Sequence, residues 1–580
     1  MAPLIIFDHV SFGYETAAGL RIPALNDVSL SIGEGEFVAV VGANGSGKST
    51  FARLVSALLL PSDGSIRVGG LDTRQPENRG RIHALVGMVF QFPEDQIVST
   101  TIEEDAAFGP ENLALPAGEI EARVEAALRE VGLWEVRQRS PHLLSAGQTQ
   151  RLALAGVLAM HPRCIVFDEA STMLDPSGRR ALIESMQRLN REGVTILMIT
   201  HYMEEAVMAK RMLVFSRGQV ALDGTPAQVF SDPLRLAGLR LDLPPAVRAA
   251  AAVRASVPEL PEDLLTPDQV LAALPDFPGS PANTEEAIAP GKVSNAPLID
   301  VNAVGYTYMR GTPTAQRALD GVSLQVEEGQ AHGLIGMTGS GKSTLMQHLN
   351  GLLRPQEGSI RVAGFDLDDP EVDRRQVVRR VGLVFQNPEM QFFEHFVGDE
   401  IAYGPRLLKV EEPLRERVRW AMEQVGLDFD TYKDRPLFSL SGGERRKVAL
   451  ASTLALKPSI LLLDEPTAGL DPASRRDLLD KLLDMRDLGI TLVLSSHQMG
   501  DLARLAHSLT VFYRGRSVLS GLTGEVFEQR DTLRGFGIEP PVAAQVAEAL
   551  QAKGWPLPEG IMTAEALQTA VARALNGVER

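Results

Sequence analysis

Two stretches of this chain could hold phosphate. Gly42-Ala43-Asn44-Gly45-Ser46-Gly47-Lys48-Ser49 and Gly336-Met337-Thr338-Gly339-Ser340-Gly341-Lys342-Ser343 each lie between an apolar run (36–41; 331–335) and a helical stretch. Their glycines let backbone N–H groups turn inward around phosphate oxygens, and the helix that follows points its positive end at the same anion. In such a loop Lys48 and Lys342 reach the β- and γ-phosphates, while Ser49 and Ser343 ligate Mg²⁺. Further along, Asp168-Glu169 and Asp464-Glu465 close apolar runs, where carboxylates are costly unless they face a cation or a polarised water. The first acid of each pair is expected to hold the Mg²⁺ shell and the second to orient or deprotonate an attacking water. Acidic pairs at strand ends also cap helices, but the phosphate loop upstream favours the chemical role.

The two sets keep register. Lys48 and Lys342 are 294 positions apart, Gln91 and Gln386 are 295 apart, and Ser145/Ser441, Asp168/Asp464 and His201/His497 are each 296 apart. A spacing held over so long a stretch is an internal duplication. Apolar runs at 165–167 and 460–463, and again at 195–199 and 491–494, alternate with helical stretches. This predicts an α/β fold in which helices pack on a largely parallel sheet. Repeated Pro-Pro segments, Leu243-Pro244-Pro245 and Glu539-Pro540-Pro541, followed by matching text around Thr266 and Thr563, predict a small helical domain occurring twice. The expected division is a first α/β domain over 1–230, a small domain over 231–274, a linker over 275–297, a second α/β domain over 298–526 and a small domain over 527–580.

Composition narrows the function. The chain has 580 residues and is 44% hydrophobic, enough for about four domains at roughly 150 residues each. Its net charge of −17 argues against a basic surface for nucleic acid. The single cysteine, Cys164, excludes an internal disulfide framework or a cysteine-ligated cluster, and its apolar setting predicts a buried thiol. No apolar run is long enough to span a bilayer and the first ten residues lack the pattern of a signal peptide, so a cytoplasmic protein is expected whose membrane role runs through a partner.

Both halves carry a further segment, Leu144-Ser145-Ala146-Gly147-Gln148 and Leu440-Ser441-Gly442-Gly443-Glu444. With it, nearly the whole chain resembles the ATP-binding cassette ATPases in tandem. The resemblance implies two phosphate-loop cassette domains, each with a helical signature subdomain, that pair head to tail around ATP and Mg²⁺. It implies one site joining Lys48, Gln91, Asp168, Glu169 and His201 to Ser441 and Gly443, and another joining Lys342, Gln386, Asp464, Glu465 and His497 to Ser145 and Gly147. Nucleotide-binding roles carry over to Tyr14, Gly42, Asn44, Gly45, Ser46, Gly47, Lys48, Ser49 and Thr50, and to Tyr308, Gly336, Thr338, Gly339, Ser340, Gly341, Lys342, Ser343 and Thr344, with Gly442 of the signature. The two tyrosines would stack on adenine. Catalytic roles carry over to Glu169, Glu465, His201, His497, Gln91 and Gln386, and Mg²⁺ contacts to Ser49, Gln91, Asp168, Ser343, Gln386 and Asp464. Asp175 and Asp471, each followed by proline, match the family's crossing loop. Ala146 departs from the family's glycine, where a Cβ hinders backbone approach to the γ-phosphate, and Ala170 stands against Pro466.

The text after each glutamine, Phe92-Pro93-Glu94-Asp95-Gln96 and Asn387-Pro388-Glu389-Met390-Gln391, and the small domains with their Pro-Pro segments are similar to the energy-coupling-factor branch of importers, which take up vitamins or cobalt and nickel ions. In that branch the segment forms a groove for helices of a transmembrane coupling subunit, beside a separate solute-binding membrane subunit. Glu94, Asp95, Glu103, Glu104, Asp105, Glu389, Asp399 and Glu400 are expected to meet arginines there. The implied protein is an ATP-hydrolysing motor at the cytoplasmic face of the cell membrane, one copy per transporter. The alternatives are a soluble paired-cassette ATPase acting on ribosomes or nucleic acid, and the fused ATPase of a sugar importer. The acidic balance and the Pro/Ala-rich spacer weigh against the first, and the small domains against the second.

Overall fold

The run Phe37-Val38-Ala39-Val40-Val41-Gly42 is buried at every position, as is Ala331–Gly336, which is what a parallel strand covered on both faces requires. Each strand is the axis of one half. The computed structural model describes residues 3–15, 19, 21–172, 174–278, 297–312 and 314–576, which divide into two units, 1–244 and 245–580.

In the first unit Val86–Val89, Cys164–Asp168, Thr195–Ile199, Phe37–Gly42 and Arg211–Ser216 lie side by side in that order and parallel, and Gln219–Gly224 closes the sheet antiparallel. A second, antiparallel sheet takes Arg21–Gly33, Pro3–Glu15, Asp63–Val68 and Leu71–Asp72. Between the sheets the helix Lys48–Val55 is wedged by Phe51, whose ring lies 5.0 Å from Phe7 and 5.2 Å from Phe215. A helical layer of Ile102–Asn112, Ala117–Glu130 and Ala146–Leu158 completes the cassette.

The second unit repeats this plan. Val381–Val384, Ile460–Leu463, Thr491–Ser495, Ala331–Gly336 and Ser508–Tyr513 run parallel and Arg516–Leu522 antiparallel. Its helical layer is Val397–Leu407, Leu414–Gln424 and Gly442–Leu454. The expected α/β tandem is therefore the observed fold.

The small domains differ from expectation. The first unit runs on to Pro244, so its boundary lies later than residue 230. In the second, Phe527, Leu533 and Ile538 belong to the cassette's own core, so the boundary lies later than residue 526. Helices Pro245–Arg254 and Pro267–Ala273 do not stand alone. Val253 and Val270 share one core with Val546, Leu550, Leu567 and Val571 of helices Val542–Ala552 and Ala564–Asn576. Two short helices bury too little apolar surface to be stable by themselves, and doubling them closes the core. The expected linker falls outside the described residues from 279 to 296. Its first residues are docked, with Trp555 Nε1 donating to Pro275 O at 3.0 Å and the Phe277 ring edge-on to Trp555 at 5.3 Å.

Candidate functional site

In the first unit the loop 42–49 links strand Phe37–Gly42 to helix Lys48–Val55. Gly47 has φ 106°, and a Cβ there would come within 2.6 Å of Ala24 O, so the turn needs glycine. Lys48 is buried and its Nζ donates to Gly42 O at 2.9 Å and Ala43 O at 3.0 Å. The hydroxyl of Ser46 is buried in the loop without a hydrogen-bond partner. A glycine turn at the head of a helix, a buried ammonium and an orphaned hydroxyl fit an anion with several oxygens, as a polyphosphate has. The second unit matches: Gly341 has φ 108°, Lys342 Nζ donates to Gly336 O at 2.6 Å and Met337 O at 3.1 Å, and Ser340 Oγ is buried without a partner. Thr338 and Ser343 are exposed. Tyr14 and Tyr308 stand at strand ends, their hydroxyls 3.2 Å and 3.3 Å from Thr50 Oγ1 and Thr344 Oγ1.

The acidic pairs reach the same loops. Ser49 Oγ donates to Asp168 Oδ1 at 3.1 Å. Burial, then the neighbouring Glu169 charge, pushes the Asp168 carboxyl up to about 6. Among the described residues no group of three or more His, Cys, Asp or Glu could hold a metal by itself. A hydroxyl beside a carboxylate suits Mg²⁺, which takes few protein ligands and completes its shell with water and phosphate oxygens.

Glu169 and Glu465 sit at φ 53° and 48°, left-handed backbone that costs a non-glycine residue about 1–3 kcal/mol and is typical of functional positions. Gln91 Nε2 donates to Glu169 Oε2 at 3.1 Å, and His201 Nε2 lies 2.5 Å from Glu169 Oε1. Burial pushes the Glu169 carboxyl up, but the charge of His201, with Lys48, outweighs it and leaves the carboxyl below its ordinary value. It is thus a carboxylate in a buried setting. In the second unit His497 Nε2 is 3.1 Å from Glu465 Oε1, and the His497 N–H donates to Glu465 Oε2 at 3.3 Å. Gln386 is exposed. Ser495, where the first half has Ile199, donates to Asp464 Oδ1 at 2.6 Å and accepts from the Glu465 N–H at 2.9 Å.

The signature serines head helices of the other layer. Ser145 and Ser441 are N-caps in capping boxes with Gln148 and Glu444, ahead of helices Ala146–Leu158 and Gly442–Leu454. Gly147, Gly442 and Gly443 lie in the first turns of these helices. Asp175 and Asp471 cap the helices Pro176–Arg191 and Pro472–Asp487.

Several acids expected to meet a partner are otherwise engaged. Asp105 is buried and accepts from the N–H groups of Val98 and Ser99 at 2.8 and 3.1 Å, and Glu400 accepts from those of Phe393 and Glu394 at 2.9 Å each. Burial raises both carboxyls despite these bonds. Their task is to tie down the loop before each helix, which periodicity cannot show. Glu104 closes a capping box, Glu389 pairs with Arg445, Glu103 lies 3.8 Å from Arg137, and Asp399 lies 3.6 Å from Arg406. Glu94 and Asp95 are exposed. What surfaces beside them is apolar: Phe92, Val98 and Phe108 in the first unit, and in the second Met390, Phe396 and Phe393, the last stacked on Tyr403 at 5.1 Å. Sequence reasoning also missed Ser495 and Arg446; no motif flags either.

A phosphate cradle and a glutamate backed by histidine, each present twice, with a serine–aspartate pair at the first cradle, define a nucleoside-triphosphate hydrolase. The family model described as "ABC transporter" matches residues 25–172 and 319–468, and the chain belongs to the ABC transporter family, whose ATPases couple ATP hydrolysis to transport. An ABC transporter ATP-binding protein, so named, of Methanosarcina acetivorans is 34% identical over 96% of this chain and 92% of its own length. An energy-coupling factor transporter ATP-binding protein of Symbiobacterium thermophilum is 52% identical over 47% of this chain and 96% of its own. Among solved structures, cbiO1 from Clostridium perfringens, part of the ABC transporter complex cbiONQ, aligns at 31% identity and TM-score 0.37, covering 42% of this chain and 94% of that one.

Proposed function

We propose that this chain is the ATPase motor of an energy-coupling-factor type importer, carrying both cassettes in one polypeptide. The carrying observation is the exposed apolar surface that follows each glutamine, with Phe393 72% and Met390 76% exposed beside Phe396. An apolar patch on a water-facing surface marks a contact with another protein or a membrane. Among the described residues no helix is long and apolar enough to cross a membrane; in this reading the chain sits at the cytoplasmic face, and the transmembrane coupling subunit and the solute-binding subunit are separate membrane chains. The 52% identity to an energy-coupling factor ATP-binding protein supports this branch.

In this reading the loops 42–49 and 336–343 bind the phosphates of ATP, and Lys48 and Lys342 turn from their carbonyl partners to the β- and γ-oxygens. Ser49, Asp168 and Gln91, and Ser343, Asp464 and Gln386, would hold Mg²⁺, which would supply positive charge to offset that of the phosphates. Glu169 and Glu465 orient and deprotonate the attacking water, with His201 and His497 at the γ-phosphate. Each half carries a signature segment to offer the other's nucleotide, so ATP binding draws the halves together and product release frees them. The groove passes that motion to the coupling subunit; a vitamin or transition-metal ion crosses elsewhere.

The test is purification from gently detergent-solubilised native membranes, with wild type and Phe393→Asp side by side. Polytopic membrane proteins in fixed ratio with the wild type, and depleted with Phe393→Asp, are expected. Recovery with ribosomes, or with no membrane protein, would sink the proposal.

A further inference from the structure

The helix after each signature differs at one buried position. Arg446 of helix Gly442–Leu454 is 7% exposed, and Gln150, 296 positions earlier, is buried in the first unit. The Arg446 guanidinium bonds to the turn that follows strand Ile460–Leu463. Nη1 donates to Glu465 O at 3.2 Å and Nη2 to Ala468 O at 3.0 Å. Its Nε–H is buried without an acceptor. A buried cation bonded to carbonyls and not fully satisfied is costly, so this placement serves something other than the arginine.

What it holds is the turn that presents Glu465, whose φ of 48° a non-glycine residue abandons unless its surroundings fix it. A guanidinium is a planar fork of fixed geometry, able to grip both carbonyls of this turn at once with charge-assisted bonds. A glutamine amide is neutral and shorter. We infer that Arg446 is a positioning residue for Glu465, adding a grip on the turn's carbonyls to the contacts from Ser495 and His497, whereas in the first half Gln91 Nε2 reaches the Glu169 side chain at 3.1 Å. The inference rests on the proposed role of Glu465 as the hydrolytic carboxylate of its half. Beyond the histidine common to both, the two halves then support equivalent glutamates by different contacts, and a lesion at one does not mimic the other.

The experiment is a double-mutant cycle on the purified full-length chain, reading kcat and KM for Mg-ATP of wild type, Arg446→Gln, Glu465→Gln and the double variant. Nucleotide affinity and melting temperature are followed in parallel. Arg446→Gln is expected to remove at least about half of the turnover that Glu465→Gln removes, with KM within about twofold and no further loss in the double variant. Arg446→Lys, which keeps the charge and one bond, should fall between, and it carries the comparison if the glutamine variant fails to fold. Wild-type kcat in Arg446→Gln, losses that multiply in the double variant, or a raised KM at unchanged kcat overturns the inference while leaving Glu465 as the base. No effect of Glu465→Gln itself overturns the proposed role of Glu465.

Discussion

Glu205 is a buried carboxyl beside the first site, and removing its charge makes a prediction with a definite sign. Its Oε2 accepts from Thr200 Oγ1 at 2.6 Å and Ser171 Oγ at 2.9 Å, while Oε1 is buried without a partner. In the second unit the corresponding Asp501 receives a fork from Arg475, with Nη2 to Oδ1 at 2.6 Å and Nε to Oδ1 at 2.9 Å. In the first, Arg179 turns to Tyr202, donating to its hydroxyl at 2.8 Å with the guanidinium 3.9 Å from the ring centroid. Burial therefore prevails over the hydroxyl bonds and the Arg179 charge, and raises Glu205 from 4.5 to about 7. A carboxyl with a raised folded-state pKa binds its proton more tightly when folded, so stability is lost as pH rises from the unfolded value through about 7. At about 1.4 kcal/mol per unit the full loss is about 3 kcal/mol, of which about 2 kcal/mol falls between about pH 5.5 and pH 8. Glu205→Gln keeps the acceptor oxygen and cannot ionise. Calorimetric melting should show the variant gaining on wild type by about 5 °C between those pH values. The transition is assigned to the first cassette by hydrogen exchange in strand Thr195–Ile199. The same difference at both pH values refutes the reasoning.

Two other predictions follow from named groups. Because Asp168 is raised to about 6 and, as the proposed Mg²⁺ ligand, would bind the ion ionised, binding of Mg-nucleotide near pH 6 should release a proton and weaken as pH falls further. Calorimetry in two buffers of unlike ionisation enthalpy reads this, and identical heats contradict it. Trp555→Ala deletes the bond to Pro275 O and the contact with Phe277, at a cost of about 3–5 kcal/mol. Hydrogen exchange should quicken in helices Pro245–Arg254 and Val542–Ala552 but not in the phosphate-loop helices; uniform or unchanged exchange refutes the shared core.

The phosphate loops, the acidic pairs and the duplication were legible because they are local: glycines at fixed spacing after an apolar run dictate a turn whatever surrounds it. The α/β order was legible from apolar runs of strand length. The small domains were read as two bodies because a ten-residue helix has the same periodicity whether it packs on its neighbour or on a helix 300 residues away, and only the shared core of Val253 and Val546 decides. Several of the acids after each glutamine have partners within the chain that the sequence does not show, for a similar reason. Asp105 and Glu104 are adjacent and chemically alike in sequence, yet one is buried under two backbone N–H groups and the other caps a helix at the surface. Arg446 escaped notice because its acceptors are main-chain carbonyls, to which sequence text is blind.

The most direct test of the account is Mg-ATP turnover by the full chain bearing Glu169→Gln, Glu465→Gln or both, with nucleotide affinity measured alongside. The account predicts that each substitution alone lowers turnover and that both together abolish it while nucleotide remains bound. Turnover at the wild-type rate in the doubly substituted chain would contradict it.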